Sequence, residues 1–102
     1  MDPQMKRGMI DVCVLKVLQK GDSYGYQIAK DAENVVPVSE STLYPILRRL
    51  ESAGALTVYS VEHNNRIRRY YSITDIGRRK IKDYLADFEE IKKIYEFVKG
   101  ED

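Results

Sequence analysis

Ser39-Glu40-Ser41-Thr42-Leu43-Tyr44-Pro45-Ile46-Leu47-Arg48-Arg49-Leu50-Glu51-Ser52-Ala53-Gly54 is the stretch that decides how this chain folds. Leu43, Ile46, Leu47 and Leu50 recur at spacings of 3, 4 and 7, which gathers them on one helical face. The same spacing turns Ser41, Thr42, Tyr44, Arg48 and Arg49 towards solvent. Ser39 is placed to cap this helix, with Ser41 as the alternative, and the stripe stops at Gly54. Pro45 costs about 3 kcal/mol in mid-helix but little near the first turn, where the early N–H groups have no helical partner. The helix is therefore expected to begin between Ser39 and Ser41.

Two β-like runs follow. Leu56, Val58 and Ser60 alternate with Thr57, Tyr59 and Val61; on the return, Ile67, Arg69, Tyr71 and Ile73 alternate with Arg68, Tyr70 and Ser72. Period two on both sides of His63-Asn64-Asn65 predicts a hairpin. A helix that exposes hydroxyls and arginines, followed by an arginine-rich hairpin, has the element order of a winged helix-turn-helix. In that architecture the second helix of the pair enters the major groove.

Upstream, Asp2 and Pro3 are placed as N-cap and first residue of a first helix. Its apolar residues from Met9 to Leu18 wrap much of the circumference, which predicts a central, well-buried helix. Gly21-Asp22 ends it, and Ser23 is expected to cap a second helix over roughly 23–34, with Ile28, Ala29 and Ala32 inward. Pro37 disfavours helix at Val36 and separates the second helix from the third. Downstream, Thr74 caps a last helix over about 74–98, with Asp75 favourable to its dipole. There Ile81, Phe88 and Tyr95 are spaced by seven, as are Tyr84, Ile91 and Val98, beside Leu85 and Ile94. This is a coiled-coil-like seam on a helix about 37 Å long. A domain of about 75 residues is too small to cover it, so a second copy of the chain is the expected partner. The alternative is a helix folded back on its own core.

The 102 residues are 43% hydrophobic and 32% charged, with a net charge of +1. That average conceals a segregation. Residues 62–82 hold Arg66, Arg68, Arg69, Arg78, Arg79, Lys80 and Lys82 against two acids, a balance of +5, whereas 83–102 balance to −4. A basic surface for a polyanion and a separate end with another task follow. No apolar run reaches the length of a membrane span and no signal peptide opens the chain. One cysteine, Cys13, cannot form an internal disulfide; it reads as a small buried hydrophobe in a cytoplasmic protein. His63 is the only histidine, no cysteine cluster offers a zinc site, and no glycine pattern cradles a nucleotide. No cofactor, metal or catalytic residue is expected, and enzyme chemistry has no residues to support it.

Gly21-Asp22-Ser23-Tyr24-Gly25-Tyr26-Gln27-Ile28, then Ser41 to Glu51 with Gly54, then Arg68-Arg69-Tyr70-Tyr71-Ser72-Ile73-Thr74 with Gly77, closely resemble the PadR family of transcriptional regulators. The likeness runs from position 8 to about 80 with order and spacing kept, and the single C-terminal helix looks like the smaller PadR subfamily. It implies a mainly α fold with a small β-hairpin: a winged helix-turn-helix DNA-binding domain over 1–74 and a C-terminal dimerisation helix over 75–102, together one compact unit. It further implies a sequence-specific repressor that binds a palindromic operator on double-stranded DNA as a homodimer. By the same resemblance, Tyr24 meets phosphate, Ser41, Thr42 and Tyr44 face the groove, and Arg48 lies close to the backbone. Asn64, Asn65 and Arg66 form the wing tip with Arg68 behind it; the glycine frequent at the family's tip is absent. Met5, Met9, Tyr84, Leu85, Phe88, Ile91, Tyr95 and Val98 are expected in the dimer interface. Some small members hold flat aromatic molecules between tryptophans there. This chain has none, and Tyr84, Phe88 and Tyr95 would line a smaller effector pocket. The competing reading is a winged-helix protein-interaction module without DNA binding.

Overall fold

The computed structural model describes residues 2–100. Met1, Glu101 and Asp102 lie outside the described residues, and with them the last two acids of the acidic C-terminal stretch. Along the chain come α1 (Pro3–Gln19), β1 (Ser23–Tyr24), α2 (Gly25–Ala32), α3 (Glu40–Ser52), β2 (Leu56–His63), β3 (Arg66–Ile73) and α4 (Asp75–Lys99). The three strands form one antiparallel sheet in the order β1-β3-β2. The mainly helical, winged helix-turn-helix architecture with a C-terminal helix is as expected.

Local chemistry sets the helix ends. The Gln4 N–H donates to Asp2 Oδ1 at 2.7 Å, with Pro3 in the first turn. Of the two serines that could begin α3, Ser39 does so, its Oγ accepting the Thr42 N–H at 3.2 Å. The far end of α3 closes when the Ala55 N–H donates to the Leu50 carbonyl and the Gly54 N–H to that of Glu51, both at 2.9 Å. This pairing demands a left-handed residue, which Gly54 supplies with φ of 79°. Pro45 sits deeper than the first-turn argument places it. It is the sixth residue of α3, so the Ser41 carbonyl loses its helical donor. Both residues are exposed, and water can satisfy that carbonyl.

Ser23 does not cap α2. It is buried in β1, opposite Tyr71, while Tyr24 opposes Tyr70 and precedes α2 without any side-chain cap. The backbone of β3 satisfies these two residues and delays α2 to Gly25. The helix then stops at Ala32, short of position 34.

The core joins Leu15 and Leu18 of α1, Ile28 of α2 and the Leu43/Ile46/Leu47/Leu50 stripe of α3 to Leu56, Tyr71 and Ile73 of the sheet. Each fully buried large side chain contributes roughly 1.5 to 3 kcal/mol. The buried face of α1 is narrower than expected: Asp11, Val14, Leu15 and Leu18 are buried, but Met9, Ile10, Val12, Cys13 and Val17 are only partly covered. Arg49 does not point freely to solvent either. Its guanidinium pairs with the Asp11 carboxylate and ties α3 to α1.

The start of α4 is fastened to the sheet. Thr74 Oγ1 accepts the Gly77 N–H at 3.1 Å and donates to the Gly54 carbonyl at 2.6 Å. A Cβ at Gly77 would lie 2.5 Å from the Ala55 carbonyl oxygen, so the helix approaches this closely only because residue 77 has no side chain. Ile81, the first residue of the seven-residue seam, is buried in the core of its own chain. Beyond it cover is lost: Phe88 is 43% exposed, Tyr95 58% and Val98 75%. With α4 projecting, the molecule measures 62 × 26 × 21 Å. Among the described residues no helix is long and apolar enough to cross a membrane.

Candidate nucleic-acid interface

The wing turns through a two-residue loop. His63 pairs with Arg66, and both Asn64 (φ 52°) and Asn65 (φ 63°) are left-handed. Such loops usually draw on glycine, but asparagine is among the few other residues that tolerate this region. The tip is thus closed without glycine, and its strands run in register from His63 opposite Arg66 to Leu56 opposite Ile73.

Alternation then divides the wing into two faces. On one, Leu56, Val58, Tyr71 and Ile73 meet the core. That face leaves the core beyond Tyr71, so Ile67, on the same side of the strand, is 78% exposed. The other face carries an aromatic assembly. The Tyr59 and Tyr70 rings stack at 5.7 Å, Tyr24 tilts against Tyr70 at 5.5 Å, and the Arg68 guanidinium lies 4.1 Å above the Tyr24 ring. Tyr59 donates its phenol to Asp22 Oδ2 at 2.6 Å, a bond that holds the phenol pKa above its ordinary value. Asp22, β1 and the wing are thereby braced together.

Between the wing and the start of α3 lies an open groove of about 830 Å³. Tyr24, Gly25, Tyr26, Glu40 and Tyr44 form one wall; His63, Asn64 and the run from Arg66 to Arg69 form the other. The Tyr44 ring rests on Gly25, where a Cβ would lie 2.9 Å from the phenol oxygen. Its hydroxyl donates to Glu40 Oε2 at 3.2 Å. Burial, and then this hydrogen bond, push the phenol pKa up, so Tyr44 remains a protonated donor. Three arginines facing one helix end make a positive concavity suited to a polyanion.

Of the residues singled out from the sequence, Tyr24, Tyr44, Asn64, Arg66 and Arg68 line this groove. Ser41 and Thr42 are exposed on the first turn of α3, next to the groove, and form a hydroxyl network with Ser39. Arg48 is exposed further along α3, and Asn65 at the wing tip; neither lines the groove. Glu40, Gly25, Tyr26, His63, Ile67 and Arg69 line it and were not singled out. Glu40 had only a positional signal, its place at the start of α3 beside Ser41 and Thr42. On α4, Tyr84 is half-buried and stacks on Phe88 at 6.5 Å; Leu85, Phe88, Ile91, Tyr95 and Val98 are exposed. Met5 is exposed and Met9 half-buried on α1. Cys13 is only half-buried, with its thiol pKa raised by desolvation.

Comparison with solved structures finds the same fold in several bacterial proteins. A transcriptional regulator from Clostridium thermocellum is 33% identical, with a TM-score of 0.80 over 90% of this chain and 94% of that one. A PadR family transcriptional regulator from Eggerthella lenta is 30% identical, with a TM-score of 0.84 over 97% of this chain and 88% of that one. PadR from Bacillus subtilis, solved in complex with operator DNA, is 24% identical, with a TM-score of 0.71 over 76% of this chain and 46% of that one. Residues 14–83, which carry the core, the groove and the wing, match the transcriptional regulator PadR-like family. With that match across most of its length, the chain belongs to the PadR-like family of transcriptional regulators.

Proposed function

We propose that this regulator binds a palindromic operator on double-stranded DNA as a homodimer and acts as a repressor. One observation carries the reading: the groove that sets the exposed start of α3 against Arg66, Arg68 and Arg69 of the wing. In this arrangement α3 enters the major groove, with Thr42 and Tyr44 towards the bases and Ser41 beside them, while Arg48 and Tyr24 approach the phosphates. The wing, with Asn64 and Asn65 at its tip, follows the backbone. The neighbour solved on operator DNA supports this use of the fold.

Residues 1–74 then serve as the DNA-binding part and 75–102 as the dimerisation helix. The exposed seam from Leu85 to Val98 is apolar surface that a second copy would bury, with Met5 and Met9 of α1 at its margin. The stacked Tyr84 and Phe88 would form one wall of a small-molecule effector pocket between the two chains. The lone cysteine suits a reducing cytoplasm, and no enzymatic step enters this reading.

Titration against duplex DNA over a range of salt tests it. Four cations per chain in two chains (Arg48, Arg66, Arg68 and Arg69) would give a slope of log K against log salt of about −7. A flat response would leave the protein-interaction module as the reading.

A further inference from the structure

Glu40 is the one acid among the residues lining a groove that carries three arginines and three tyrosines. It is half-buried at the first position of α3 and forms no ion pair among the described residues. A carboxylate here repels phosphate, so on electrostatic grounds alone it weakens binding. One of its oxygens accepts the Tyr44 hydroxyl at 3.2 Å, and Tyr44 is itself held by its close approach to Gly25. Gly25, Tyr44 and Glu40 thus form a stack that restrains the carboxylate at the groove wall, and its other oxygen has no hydrogen-bond partner among the described residues.

We propose that Glu40 is a specificity-determining residue that accepts a hydrogen bond from the exocyclic amino group of a cytosine in each half-site. This rests on the DNA-binding function proposed above. The N-terminal residues of a recognition helix reach base edges, and carboxylates pair with the cytosine N4 amino group. Adenine also offers an amino group, but its adjacent N7 acceptor opposes a carboxylate oxygen. Repulsion from phosphate serves the same end, since it weakens binding wherever no amino donor compensates. A purely structural role, in which the acid only favours the helix dipole, would affect stability and not base choice.

Selection of bound sites from random duplex DNA by the full chain, repeated with E40A and E40Q, decides the matter. Wild type should enrich a cytosine at one position of each half-site. E40A should lose roughly tenfold in discrimination at that position alone and bind random duplex more tightly. E40Q, which keeps the side-chain length should E40A fold poorly, should exchange the preference there for adenine, the base glutamine pairs with. An unchanged E40A or E40Q consensus at every position overturns the role of Glu40 while leaving the DNA-binding function standing. Enrichment of no sequence by wild type overturns both.

Discussion

The guanidinium of Arg68 lies 4.1 Å above the ring of Tyr24, so two residues read separately as DNA contacts form one unit. Tyr24 is anchored in turn by Tyr70, and Tyr70 by Tyr59, whose hydroxyl is bound to Asp22. An arginine side chain carries about 2 kcal/mol of rotamer entropy, much of which is lost on contact with phosphate. Stacking removes part of that freedom beforehand.

Charge and positioning should therefore separate experimentally. Arg66→Ala or Arg68→Ala should lower affinity for any duplex and flatten the salt slope by about one contact. Tyr24→Leu should leave the slope near wild type, since the phenol carries no charge, yet weaken binding by at least about 0.5 to 1 kcal/mol, the scale of an exposed cation–π contact, because its own approach to phosphate is lost as well. Loss of preference at a single base pair in the arginine variants would show instead that the wing reads bases.

Thr42 and Tyr44 stand on the exposed side of α3, opposite its buried stripe. Thr42→Ala and Tyr44→Ala should each weaken specific binding by roughly 1 to 3 kcal/mol in a folded domain. Because Ser39 donates to Thr42 Oγ1 at 3.1 Å, Thr42→Ala also disturbs the cap, and thermal melting should register a small loss. Thr42→Ser keeps the hydroxyl and should restore both properties. Equal affinity of the folded Ala variants and wild type for a selected site would remove both residues from the reading.

Phe88 and Ile91 occupy adjacent positions on the uncovered part of α4. The double change Phe88→Asp with Ile91→Asp should leave monomers in light scattering, since each substitution acts twice across a two-fold interface. Affinity for a palindromic site should fall far more than loss of any one phosphate contact. A monomer loses the spacing of about 34 Å that lets two helices engage both half-sites. A dimer that binds normally after this change would place the interface elsewhere.

Asp11 faces burial and Arg49 at once. Desolvation is the larger influence and raises its carboxyl pKa; Arg49, whose side chain stays 38% exposed, offsets only part of it. The native state thus holds the Asp11 proton more tightly than the unfolded chain does. Stability from this group is fully present below the ordinary carboxylate range and is lost as pH rises through the raised pKa. Asp11→Asn removes that dependence. Urea unfolding should accordingly show D11N gaining on wild type between pH 3.5 and pH 7. The opposite trend would mean that Arg49 outweighs burial.

What the sequence determined lies mostly within one helical turn or across one hairpin loop. The stripe on α3, its capping serine, the stop at Gly54 and the alternation of the two hairpin strands depend on neighbours a few residues apart, so periodicity exposes them; the pairing of His63 with Arg66, which fixes the register, came only from the structure. Other features required the fold. Ser23 has the local character of a helix cap, yet it becomes strand because β3 presents unpaired backbone beside it. Arg49 looks solvent-bound on its own helix and meets Asp11 only because α1 packs there, 38 residues away in the chain. The Tyr24–Tyr70–Tyr59 assembly likewise exists through strand pairing. The physical reason is one of range. Backbone propensity and side-chain spacing act over about four residues. Burial, ion pairing and stacking between distant segments follow only once the core has brought those segments together.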